Sequence, residues 1–165
     1  MNINTDDAVK DSKGSVHLLL VGQSKGHISR VIEIFEPIHL DLFTSAEMLD
    51  QVTEFVSSMN SYKGSYHISI IPSFTEYSLF SGISIIYSRY KILKLNFPGI
   101  RIYFGITGGT NTMAVEMALS AVMVKEPMHY MVKTQDRKDT KDDVILFDGE
   151  ELNRMIKNST SGGRR

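Results

Sequence analysis

Residues 15–22 read Ser-Val-His-Leu-Leu-Leu-Val-Gly, a nearly unbroken, branched apolar run that closes on glycine. A run this short is a strand, and apolar residues at successive positions mean burial on both faces, which favours a parallel sheet covered by helices. After the turn Gln23-Ser24-Lys25-Gly26, apolar residues fall at Ile28, Val31, Ile32 and Phe35, the stripe of an amphipathic helix that Pro37 stops. Strand, tight turn and helix open a βαβ unit, and the recurrence of that unit limits what the chain can fold into.

Residues 39–43 form a second short strand, and Thr44 followed three positions later by Glu47 makes a capping box ahead of a helix with Met48, Val52, Phe55 and Met59 on one face. Residues 67–71 form a third strand ending at Pro72. Ser73 with Glu76 is another capping box, before a helix striped by Leu79, Ile83, Ile86, Tyr90 and Leu93. Pro98-Gly99 then precedes a fourth strand over residues 100–106, the turn Thr107-Gly108-Gly109-Thr110, and a helix over Asn111–Val124 that is apolar on almost every side. Such a helix is buried all round, in the core or against a partner subunit. Residues 128–132 give a fifth strand, the polar run 133–143 a connection, and residues 144–147 a sixth strand that pairs as a hairpin because no helix intervenes. The pattern predicts an α/β fold, a Rossmann-like doubly wound, mainly parallel sheet of about six strands with a C-terminal hairpin. One domain over residues 15–158 is expected, with disordered tails at 1–14 and 159–165.

Composition narrows the function classes. The 165 residues fit one domain, and 42% hydrophobic with 22% charged residues is an ordinary globular balance. With no cysteine, disulfides, thiolate metal sites and cysteine nucleophiles are excluded, and a reducing cytoplasm is the expected location. Eighteen basic against nineteen acidic residues leave a net charge of −1, so no global field draws the chain to DNA or to an anionic membrane. No window approaches the roughly 18 apolar residues of a membrane span.

In doubly wound sheets ligands bind beyond the carboxyl ends of the strands, so function is sought in the turns after the first, third and fourth strands. At residues 107–110 two glycines permit positive φ and close backbone approach, and two threonines add hydroxyls beside a helix N-terminus, a ready anion site. A tight turn with Thr110 as N-cap explains the same residues without a ligand. Neither a G-x-G-x-x-G fingerprint nor a P-loop lysine is present. Gly22-Gln23-Ser24-Lys25-Gly26 matches the G-x-S-x-G nucleophile elbow of hydrolases, with His129 and Asp41 or Asp148 as conceivable partners, but no earlier strand supplies the second half of an oxyanion hole. The alternative for that turn is a set of side-chain donors and one cation facing a phosphate or base, and the simpler one is a solvated Lys25. His17, His27, His39, His67 and His129 show no metal-ligand spacing, and most of them are expected at strand edges or on the surface; no metal or cofactor is expected.

Ile106-Thr107-Gly108-Gly109-Thr110 leading into Asn111-Thr112-Met113 and an apolar helix resembles the signature of the CRISPR-associated Rossmann-fold domains, the CARF family, and the 22–26 turn resembles that family's other ligand loop. The resemblance spans about residues 15–147. It implies a homodimer, joined through the Asn111–Val124 helix, that senses the cyclic oligoadenylates of type III CRISPR defence, cyclic tetra-adenylate suiting the twofold symmetry. The implied ligand contacts are Gly22, Gln23, Ser24 and Lys25, Ser73 and Phe74 after the third strand, and Thr107, Gly108, Gly109, Thr110, Asn111 and Met113. Many members of the family carry lysine where this chain has Asn111, so charge at the pocket falls to Lys25, helped by His27. Some members are metal-independent ring nucleases, a role that Ser24 and Lys25 would fill here by positioning a ribose hydroxyl and stabilising charge on phosphate. No Arg-x4-6-His of the family's ribonuclease domains occurs, so a sensing domain acting on a separate effector protein is expected. A small α/β protein that binds another nucleotide or only a partner protein is the alternative outside the family.

Overall fold

The structure is a computed structural model that describes residues 12–72, 78–132 and 144–161. At its centre, β1 (Val16–Leu20) is buried along its whole length. Parallel strands flank it on both sides, β2 (His39–Thr44) and β4 (Ile102–Gly105), with Leu18 opposite Asp41 on one side and Phe104 on the other. β3 (Ser65–Ile70) and β5 (Met128–Met131) extend the sheet outward in parallel, and β6 (Val144–Phe147) closes it antiparallel to β5, in the order β3-β2-β1-β4-β5-β6. The fold is the Rossmann-like α/β arrangement, with the C-terminal hairpin, that the strand and helix periodicity predicts.

Alternation along β1 divides the core in two. Leu19 and Val21 face α1 (Gly26–Phe35) and α2 (Leu49–Ser58), against Ile28, Val31, Phe35, Val52 and Val56. Val16, Leu18 and Leu20 face the other way, toward α3 (Ser78–Asn96) and α4 (Asn111–Val124), against Ile86, Leu93, Met113 and Met117. Helices cover both faces, as doubly wound topology requires. No helix of the described residues is long and apolar enough to cross a membrane.

Three local expectations are corrected. Thr44 does not cap a helix: it is the last residue of β2, opposite Ile70, and its hydroxyl donates to the Val21 carbonyl at 3.0 Å. Ser45 takes the N-cap position of a 3-10 turn, Ala46–Met48, that leads into α2. A further helix, α5 (Gly149–Ser161), runs past the boundary expected at 158. It starts where Asp148 Oδ1 accepts from the N–H groups of Glu150 and Glu151 at 2.9 and 3.2 Å, and Asn153 ties it to α4 through the Val122 carbonyl. Of the histidines, most of them expected at strand edges or on the surface, two lie in the core: His17 and His129 are buried, 3.0 Å apart between Nδ1 and Nε2, with Ser15 Oγ 2.9 Å from His17 Nε2. Phe35 and Tyr103 pack around them. The His129 ring reaches β1 over Gly105, where a Cβ would stand 2.8 Å from His129 Cε1 and 2.6 Å from Leu19 Cδ2. Ser73, Phe74, the 73–76 capping box and the 133–143 connection lie outside the described residues.

Candidate functional site

β1 and β4 are neighbours, yet the chain leaves β1 for the α1 face and β4 for the α4 face. A crevice opens where such crossovers diverge. The two turns there touch backbone to backbone: a Cβ on Gly22 would lie 3.1 Å from Gly109 N and 3.2 Å from its Cα. Gly108 and Gly109 have φ of +93° and +66°, the left-handed region that favours glycine. A Cβ on Gly108 would also meet the His27 ring at 2.7 Å and the Leu20 carbonyl at 2.8 Å.

His27 shapes this turn. Its Nε2 donates to the Leu20 carbonyl at 2.8 Å, and burial lowers its pKa, so the ring is neutral at pH 7 and supplies no positive charge. Thr107 Oγ1 accepts from Met131 N at 2.6 Å, pinning the turn to β5. Thr110 is the N-cap of α4: its Oγ1 accepts from Met113 N at 3.3 Å, while its own N–H points at Met113 Sδ, 3.4 Å away. The hydroxyl hydrogen of Thr110 stays available, as do the N–H groups of Asn111 and Thr112, which have no acceptor within a helix that begins there.

A cavity of about 530 Å³ lies over this junction. Gly22, Gln23 and Ser24 form one part of its lining and Gly108, Gly109, Thr110 and Met113 another. Ser45, Glu47 and Met48, from the turn after β2, form a third wall that the sequence reading did not assign to a ligand. Among the described residues the one charged side chain of the lining is Glu47, whose carboxylate is held below its usual pKa by its own backbone N–H and by the Ser45 hydroxyl. Lys25 and Asn111 are not in the lining: Lys25 sits at the N-cap position of α1 without a side-chain cap bond, its Nζ 3.4 Å from the Gln23 carbonyl, and Asn111 is exposed at the start of α4.

The hydrolase triad does not assemble. His129 is buried against His17, Arg89 binds Asp41 Oδ2 through Nε and Nη2 at 2.9 and 2.7 Å, and Asp148 caps α5. Among the described residues the non-glycine residues at positive φ are Glu36 and Lys125, so Ser24 is not on the strained bend of a nucleophile elbow. Among those residues no group of three or more His, Asp or Glu side chains is placed to hold a metal ion.

No family model matches the sequence, and no curated protein matches it. Solved structures do share the fold. Csm6 from Enterococcus italicus, bound to cyclic hexa-2′-fluoro-hexa-dAMP, superposes with a TM-score of 0.64 at 14% identity over 93% of this chain and 41% of its own. Protein VC1899 from Vibrio cholerae gives 0.64 at 12% identity over 79% and 35% of the two chains. Can2 from Sulfobacillus thermosulfidooxidans, in complex with cyclic tetra-adenylate, gives 0.58 at 16% identity over 72% and 32%. The chain thus spans between 32% and 41% of the length of these proteins.

Proposed function

We propose that this chain binds a cyclic oligoadenylate, the second messenger of type III CRISPR defence, as a homodimeric sensor domain. The observation that carries the reading is the contact of Gly22 with Gly109 beneath an open cavity at the first turn of α4. Free N–H groups and the positive end of the helix dipole favour an anion there, and a phosphodiester is the anion that brings a base and ribose to fill the remaining volume. The fold shared with Csm6 and Can2, each holding a cyclic adenylate, supports the ligand class.

The dimer rests on α4. Val115, Leu119 and Met123 are 49%, 43% and 60% exposed and fall on one face, four residues apart. An apolar stripe on a helix whose first turn lines the cavity suits an isologous contact, which would bring two cavities together around one twofold ligand. Binding is favoured over cleavage because Lys25, the residue that cleavage would draw on for charge, reaches toward the Gln23 carbonyl and lies outside the lining. The occupied dimer then acts on an effector protein.

Calorimetry with cyclic tetra-adenylate, followed by recovery of the ligand after incubation in EDTA, tests this reading. The expected result is one ring per two chains, recovered intact, and roughly 2.7 kcal/mol of added stability at 100 times the dissociation constant. Leu119→Glu should give a monomer with at least about tenfold weaker binding, a loss of about 1.4 kcal/mol. Silence toward every adenylate ring would refute the ligand assignment, and linear products ending in a 2′,3′-cyclic phosphate would replace the sensor by a ring nuclease.

A further inference from the structure

The cavity is polarised. On the α4 side it offers hydrogen-bond donors, the first-turn N–H groups and the Thr110 hydroxyl, with the Met113 thioether beside them. On the β2 side it presents Glu47, with Met48 next to it. The strand order β2-β1-β4 sets these walls two strand spacings apart, roughly 10 Å, with the Gly22–Ser24 turn between them.

An ionised carboxylate only accepts hydrogen bonds, and it repels phosphate. In a cavity that takes a phosphodiester it therefore faces a donor-bearing part of the ligand, away from the charged backbone. Ser45 and the Glu47 amide hold the carboxylate in its charged form, so it stays an acceptor at neutral pH. Met113 is buried with its sulfur against the Thr110 N–H, so the apolar surface falls to half-buried Met48, whose polarisable thioether is of the kind that packs on an aromatic ring. A base packed on Met48 turns its edge toward the neighbouring Glu47. On adenine, the exocyclic amino group is that edge's hydrogen-bond donor.

We infer that Glu47 is a specificity-determining residue whose carboxylate accepts a hydrogen bond from the exocyclic amino group of an adenine, while the α4 end of the cavity holds phosphate. This rests on the reading of the ligand as a cyclic oligoadenylate and adds to it the group that selects the base.

The test compares two rings, cyclic tetra-adenylate and the same ring built from unsubstituted purine riboside, which lacks the amino group. Both are titrated into the wild-type protein, Glu47→Ala and Glu47→Gln. Glu47 is solvent-exposed, and matching melting curves for the unliganded proteins establish that the substitutions leave the fold intact. A charge-assisted hydrogen bond predicts that the wild type binds the amine-free ring about ten- to a hundredfold more weakly. Glu47→Ala should weaken binding of the adenylate ring by a similar factor and leave the two rings within about threefold of each other, while Glu47→Gln, still an acceptor but uncharged, keeps part of the preference. An unchanged preference in Glu47→Ala overturns the assignment. So does equal tightening of both rings in that variant, because it would mean that the carboxylate had been facing phosphate. If the wild type binds neither ring, the oligoadenylate reading fails and this inference falls with it; binding of the adenylate ring with no role for Glu47 sinks the inference alone.

Discussion

Two glycines, Gly105 in β4 and Gly82 in α3, each make room for a buried titratable side chain, and the outcomes differ. Over Gly105 the His129 ring meets His17, whose other nitrogen meets Ser15. Against Gly82 of α3 lies the Glu116 carboxyl of α4, fully buried, with no hydrogen-bond partner for either oxygen among the described residues. Burial pushes both groups to their neutral forms, His129 down to about 3 and Glu116 up to about 7. A neutral histidine is an ordinary donor and acceptor that a neighbour can satisfy, whereas a carboxyl reaches neutrality only by holding a proton. The same kind of notch is therefore stable toward alkali at Gly105 and toward acid at Gly82.

Acid is the strongest way to break the histidine side. His17 and His129 have folded pKa values below the unfolded value near 6.5, so below pH 6.5 the unfolded chain binds protons that the folded one refuses. Stability present above pH 6.5 is lost as pH falls toward the folded values, at about 1.4 kcal/mol per pH unit for each ring that stays neutral. Urea unfolding of Glu116→Gln, which removes the opposing titration of that carboxyl, from pH 7 to 4.5 measures this, and a flat profile would contradict the neutral pair.

A smaller effect separates the glycines themselves. Gly105→Ala drives a Cβ into Leu19 and His129, both fixed in the core, and should destabilise by about 2–3 kcal/mol. Gly82→Ala has as its nearest contacts the end of the flexible Glu116 side chain and gains helix propensity, so its net loss should be smaller than that of Gly105→Ala. Equal losses in denaturant melts would erase the distinction.

Glu116→Gln sharpens the carboxyl side. The folded pKa near 7 lies above the unfolded value of 4.5, so the wild type loses stability as pH rises from 4.5 through 7 and the amide does not. The variant should melt several degrees higher at pH 8, since a shift from 4.5 to about 7 corresponds to about 3 kcal/mol, and the gap should close below pH 4.5. A gap independent of pH would mean that the carboxyl never carries the burden of charge.

Periodicity made the sheet and its helices readable. The Asn111–Val124 helix and the 144–147 strand have the expected bounds, because a sustained apolar pattern flanked by Gly-Gly-Thr or by a polar run leaves few alternatives. The turn at 107–110 was legible for the same reason, and Thr110 caps α4 as its chemistry suggests. Strand order was not legible. β2 lies beside β1 and β3 lies outside it, so the turn carrying Ser45, Glu47 and Met48 reaches the cavity, a fact that no spacing along the chain encodes. Thr44 and Ser45 stand side by side, and either can begin a helix on paper; the β-branched Thr44 stays in the ladder because Ile70 is its register partner. α5 hid behind a polar sequence, although Asp148 followed by Glu150 and Glu151 was a start signal. The buried histidines depend on Gly105, contributed by the strand between them, and a pattern read one strand at a time misses such a notch.

Residues Asn111 to Val124 form one continuous rod, about 21 Å long at 1.5 Å per residue. Its leading end borders the hollow and its flank carries Val115, Leu119 and Met123 outward. The border of the hollow and the outward apolar flank thus belong to a single rigid element, with no loop between them.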